Sequence, residues 1–137
     1  HAYHATMPTD ALVQFRDTMK EIEAYGFNKA RDGQAELGRR VRELLQAKGF
    51  RSLAAQGFEA PGVVVSYTDD PDIQNTKRFG VEGLQIAAGV PLQCDEPEEF
   101  RTFRIGLFGL DKLKDMDRTV TNLEQALEKV LAQSNVR

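Results

Sequence analysis

In the stretch "RTFRIGLFGL" at 101–110, Phe103, Ile105 and Leu107 alternate as the inward face of a strand requires, which puts Arg104 on the other face between Thr102 and Gly106. An arginine so placed offers a planar pair of donors that matches a carboxylate. A glycine two positions on, on the same face, removes a side chain that would obstruct approach. The plainer alternative is an exposed strand arginine paired with a nearby glutamate. Arg104 is the candidate binding residue of the chain.

Other chemistries find little support. There is no G-x-S-x-G elbow, P-loop or dinucleotide fingerprint, and no pair of carboxylates has a convincing cleft. His1 and His4 are the only histidines and lie at the N-terminal extreme, where a disordered tail is the default, so a histidine-based triad is not expected. The single cysteine, Cys94, excludes an internal disulfide or a cysteine-cluster metal site, and no metal site is expected. Its neighbours Asp95 and Glu96 should raise its pKa and leave an inert thiol.

The 137 residues carry a formal charge of −3, which argues against a nucleic-acid surface. The one dense basic patch, Arg39, Arg40 and Arg42, lies among Glu36 and Glu43 and reads as a solvated helix face. No apolar run is long enough to span a membrane and no signal peptide is recognisable, so a cytoplasmic location is expected. The first residue is His1, not methionine, so a piece of something longer is expected.

The elements that must position Arg104 follow from periodicity. Leu12, Phe15, Met19 and Ile22 define an amphipathic helix over 9–25, with Thr9 or Asp10 able to cap it and Gly26 to stop it. Leu37, Val41, Leu44 and Leu45 define a second helix, stopped by Gly49-Phe50. "GVVVSY" at 62–67 is a buried strand, with a weaker one at 50–54. A short helix follows, capped by Asp70 with Pro71 in its first turn, and then a strand "LQIAA" at 84–88. The last helix, about 115–132, carries the stripe Met116, Val120, Leu123, Leu127 and Val130, with Asp115 and Asp117 near its positive end.

The order predicts an α/β (α+β) domain: a small, mostly antiparallel sheet with helices on one face. The other face, which Arg104 shares, is free to pack against something and is expected to be unusually apolar. Fold alone leaves open a free-standing α+β module that binds a ligand or an interaction partner.

The segment "YHAT" at Tyr3 to Thr6, the two helices after it, "GVVVSY", and above all "FRIGLFG" before a long terminal helix resemble the C-terminal part of class V, fold-type I pyridoxal-phosphate aminotransferases. The resemblance is to the alanine–glyoxylate and serine–pyruvate aminotransferase branch. It covers essentially the whole chain, and it implies residues 1–26 as a connecting segment and helix from a missing large domain and 27–137 as the C-terminal small domain. It implies that Arg104 binds the substrate α-carboxylate. Tyr3 and Thr6 would reach the phosphate of the cofactor, pyridoxal 5'-phosphate, in the neighbouring subunit of a homodimer.

The implied reaction moves an amino group from a small amino acid, alanine or serine, to a 2-oxo acid such as glyoxylate or pyruvate. Ala5, and the length and acidity of the loop "AAGVPLQCDEPEEF", depart from the family pattern. The lysine that bonds the cofactor and the groups that hold its ring have no matching positions. Lysines such as Lys20, Lys48 and Lys129 lie where solvent-facing charge is expected, so no catalytic residue is assigned in this chain. By itself the chain is expected to be inactive and without cofactor. A desulfurase of the same scaffold would need an activated cysteine, which Cys94 fits poorly.

Overall fold

The computed structural model describes residues 6–133; Tyr3, His1 and His4 lie outside the described residues. The elements in order are α1 (Thr9–Tyr25), α2 (Phe27–Ala47), β1 (Val63–Tyr67), α3 (Pro71–Gln74), α4 (Lys77–Val81), β2 (Ala87–Ala88), β3 (Thr102–Gly106), α5 (Leu110–Lys114) and α6 (Met116–Ala132). The three strands form one antiparallel sheet in the order β1-β3-β2, with β3 in the middle.

The helix stops follow from glycine. Gly26 closes α1 at φ 103° and Gly49 follows α2 at φ 90°, where Phe50 N–H donates to the Leu45 carbonyl at 2.9 Å. Asp70 caps α3, its carboxylate accepting from the N–H of Asp72 and Ile73, and Pro71 opens the first turn. Asp115 caps α6 by accepting from the Arg118 N–H at 3.1 Å. The start of α1 differs from expectation: Pro8 holds the cap position without a side-chain bond, and the Thr9 hydroxyl turns back to the Met7 carbonyl.

Two strands are weaker than expected. Residues 50–54 make only an isolated bridge, Ser52 to Ser66, beside β1, and "LQIAA" shortens to two paired residues. The single helix expected after Asp70 is split into α3 and α4 by Thr76 at φ 72°.

The core lies between one sheet face and the helices. Val64, Phe103 and Ile105 are buried against Leu37, Val41 and Leu45 of α2, Ile73 and Phe79 of α3 and α4, and Leu123, Leu127 and Val130 of α6. Phe103 is its centre, with ring centroids 5.1 Å from Phe50 and 5.5 Å from Phe79. Behind this layer the buried Arg78 pairs with Asp70 at 2.7 Å and reaches the Val130 carbonyl, joining the start of α3 to the end of α6.

The opposite sheet face is mixed. It carries the half-buried Val63, Val65 and Tyr67 together with Arg104, and Arg51 stacks its guanidinium on the Tyr67 ring at 3.9 Å. Exposed apolar side chains gather on α1, which buries none of its residues: Leu12, Val13, Phe15 and Met19 all face outward. Among the described residues no helix is long and apolar enough to cross a membrane.

Candidate anion-binding site on the open sheet face

Arg104 occupies the middle of the central strand, with Val65 opposite on β1 and Ala87 opposite on β2. The pleat puts these three on one face and sends Phe103 and Ile105 into the core. The cross-strand neighbours bring no polar side-chain atom to the guanidinium. Its Nε–H donates to the Ala88 carbonyl at 2.9 Å, and among the described residues no carboxylate lies within ion-pair distance. The glutamate partner of the plainer reading is therefore not there.

Gly106 lies two residues along on the same face, and a Cβ added to it would meet nothing within 4 Å. Neither packing nor a left-handed backbone requires glycine at that position. A side chain there would project from the face that Arg104 shares. The arginine thus stands half-buried on an open sheet, its Nη1 and Nη2 edge available to an anion through two parallel hydrogen bonds.

The neighbouring clefts, of about 510 Å³ and 670 Å³, border the 89–101 connection, and Arg104 lines neither. One wall of a binding site is present.

The acidic loop is ordered by its own carboxylate. Glu96 accepts from the backbone N–H of Leu92 at 2.5 Å, Gln93 at 2.9 Å and Cys94 at 2.8 Å. These N–H groups, that of Cys94 foremost, hold its pKa at about 2. A carboxylate whose folded pKa is depressed contributes its full effect above its ordinary value near 4.5 and loses it as pH falls towards 2. The amide resonances of Leu92, Gln93 and Cys94 should therefore move together with a midpoint near pH 2. A shared midpoint near 4.5 would show that these bonds do not hold in solution.

Within this loop Cys94 is exposed, and desolvation first, then the Glu96 carboxylate, push its thiol up. An activated nucleophile needs the opposite. Among the described residues no group of three or more His, Cys, Asp or Glu could hold a metal.

The basic patch on α2 serves the fold. Arg39 pairs with Glu36 and Glu43, Arg40 reaches Asp117 of α6 at 2.8 Å, and Arg42 donates to the Ala60 and Val63 carbonyls.

Thr6 is exposed, and Tyr3 lies outside the described residues. One exposed hydroxyl does not compose a site for a phosphorylated pyridine cofactor. Lys48, paired with Glu128 and Glu124, has a raised pKa, the wrong direction for an amine that must be neutral to attack an aldehyde. Two features escaped the sequence reading. The Ala88 acceptor is a backbone carbonyl, which every residue possesses, and the place of Arg51 on the Arg104 face depends on the isolated bridge at Ser52.

No family profile matches the chain. Over 124 residues it is 29% identical to a 2-aminoethylphosphonate–pyruvate transaminase of Burkholderia ambifaria (strain MC40-6) and 27% identical to one of Burkholderia lata; each match covers 90% of this chain and 33% of the relative. Its fold matches alanine–glyoxylate aminotransferase from Nostoc sp. with a TM-score of 0.74 at 19% identity, over 95% of this chain and 33% of that one. The chain spans about a third of the length of the proteins it matches. The chain is thus similar to about a third of these aminotransferases, and it shares the small α+β fold of the alanine–glyoxylate enzyme.

Proposed function

We propose that the chain is the C-terminal third of a class V, pyridoxal-phosphate-dependent aminotransferase, and that Arg104 grips the anionic end of its substrate. The observation that carries this reading is the guanidinium of Arg104, held at Nε, without a carboxylate partner among the described residues, with a glycine two residues on along the same face that packing does not require. The cofactor would supply the electron sink for amino transfer, and the residues that bond it belong to the rest of the protein. This chain would bind and orient: the fork of Arg104 fixes the substrate anion and thereby the amino group at the other end of the molecule. The whole protein would work as a homodimer, with residues 1–26 linking the large domain to a small domain at 27–137.

The amino donor is a small amino acid, alanine or serine, or 2-aminoethylphosphonate, the substrate that the Burkholderia relatives' names carry. The acceptor is pyruvate or glyoxylate. A carboxylate and a phosphonate both present oxygens that a guanidinium fork accommodates. The free-standing binding module finds less support, because the relatives are enzymes that continue well beyond the matched third.

The test is amino transfer by the full-length protein from alanine, serine and 2-aminoethylphosphonate to pyruvate or glyoxylate. Transfer from one or more of these donors is expected. Absence of transfer from every donor, with cofactor bound, overturns the reading.

The role proposed for Thr6 is one hydrogen bond to the cofactor phosphate of the neighbouring subunit. Because Thr6 is exposed, Thr6→Ala should leave the melting temperature nearly unchanged while the full-length enzyme loses cofactor faster on dialysis, followed by its absorbance. Equal retention by both proteins removes Thr6 from the site.

A further inference from the structure

We infer that Gly89 is a positioning residue, which aims Arg104 through the carbonyl of Ala88. The inference rests on the reading of Arg104 as the anion-gripping residue and adds what holds that arginine in place. β2 pairs with β3 for only two residues, Ala87 opposite Arg104 and Ala88 opposite Phe103. Immediately beyond, the backbone of Gly89 presses on Thr102: an added Cβ would stand 2.0 Å from its carbonyl oxygen and 2.3 Å from Oγ1. No side chain fits there without moving one backbone away from the other.

The surface against which Gly89 rests cannot easily yield. Thr102 is buried and belongs to the central strand, paired with Tyr67 on its far side. The contact therefore fixes where residues 88–89 lie relative to β3. That position places the Ala88 carbonyl 2.9 Å from Arg104 Nε. With Nε committed, the plane of the guanidinium is set and its end-on edge, Nη1 and Nη2, is the pair left for a ligand. A long side chain that would otherwise sample many rotamers is ordered before the ligand arrives, which lowers the cost of binding. Neither Val65 nor Ala87 could do this, since they offer no side-chain acceptor.

The experiment is Gly89→Ala in the full-length enzyme, alone and combined with Arg104→Ala. With an anionic amino donor, Gly89→Ala should raise KM and lower kcat/KM on the order of tenfold, as expected for a group displaced by a fraction of an ångström or more. A simple amine lacking the anion should be affected far less. In the Arg104→Ala background Gly89→Ala should cost nothing further, because the two changes remove one interaction. Equal loss on both donors, or additive loss in the double variant, overturns the inference.

A second readout is independent of activity. The Arg104 Nε–H should exchange slowly with solvent in the wild-type protein and rapidly in Gly89→Ala, by NMR of the guanidinium. Slow exchange in both proteins overturns the positioning role even if the enzyme transfers amino groups. Conversely, an inactive wild type defeats the functional reading while the exchange rates still decide the positioning role. If Gly89→Ala does not fold, Thr102→Ala relaxes the same contact by removing Oγ1. Its shift in exchange should have the same direction and be smaller, and an unchanged rate counts against the inference.

Discussion

Replacing Arg104 by lysine in the full-length enzyme is expected to lower kcat/KM for its anionic amino donor by roughly 30- to 150-fold, or about 2–3 kcal/mol at about 1.4 kcal/mol per tenfold. The charge survives this change and the fork does not: an ammonium is a compact point donor that cannot make two parallel bonds to one carboxylate or phosphonate. It also cannot keep its tie to the Ala88 carbonyl and reach the ligand with the same geometry. Cofactor absorbance should be nearly unaltered, because the proposed cofactor contacts lie elsewhere. A simple amine, which never used the contact, should lose much less. Equal losses on the two donors would show Arg104 to be structural, and its place on the open face would need another explanation.

Arg78→Leu is expected to destabilise the protein by about 3 kcal/mol, the lower part of the range for breaking a buried ion pair. Its side chain is only 7% exposed and its partner Asp70 21%, so removing the guanidinium strands a partly buried carboxylate that also caps α3. The bond to the Val130 carbonyl at the end of α6 goes with it. In thermal denaturation this corresponds to a fall of roughly 10 °C in Tm for a unit of this size. Adding Asp70→Asn to Arg78→Leu should recover part of the loss, since the amide oxygen still caps the helix without the stranded charge. A fall of only a degree or two in the single variant would mean that water or neighbouring groups satisfy Asp70 well enough without its partner.

How much of this was legible in the sequence depended on whether the deciding interaction was local. The bounds of α1 and the stop of α2 followed from apolar spacing and from Gly26 and Gly49, because helix ends are set by residues a few positions apart. The same holds for Asp70 and Pro71 at α3 and for the alternation that buries Phe103 and Ile105. Where the outcome rested on distant parts of the chain, the pattern was silent. "LQIAA" has the composition of a full strand, yet it pairs only at Ala87 and Ala88, because Leu84 is still bonded back to the Phe79 carbonyl of α4 and packs with Ile86 on the core, which are tertiary facts. At the start of α1 the cap falls at Pro8, whose carbonyl accepts from the Leu12 N–H, while the Thr9 hydroxyl turns back to Met7, so neither Thr9 nor Asp10 caps the helix.

The candidate site divides in the same way. Arg104 and Gly106 were readable as a pair because strand alternation alone puts them on one face. The commitment of Nε to Ala88, and the lack of a carboxylate partner among the described residues, required the third dimension. The open face sets the apolar Val63 and Val65 beside Arg104 and Arg51. Val63 and Val65 are half-buried by their neighbours, while the stripe of Leu12, Phe15 and Met19 on α1 is left facing outward. A helical stripe reveals that a surface wants a partner and not which partner it finds.

The shortness of the sheet's borders bears on how the protein behaves in a crowded solution. A long bare strand edge is a template on which another chain can add, and natural sheets guard against such growth. Here β2 offers two residues before Gly89 turns the backbone onto β3, and beyond β1 the chain at Ser52 makes a single bridge beside the charged Arg51. Neither border presents the run of unpaired N–H and C=O groups that amyloid-like stacking would extend. The contact that aims the arginine thus also leaves the sheet with almost nothing for a stray strand to copy.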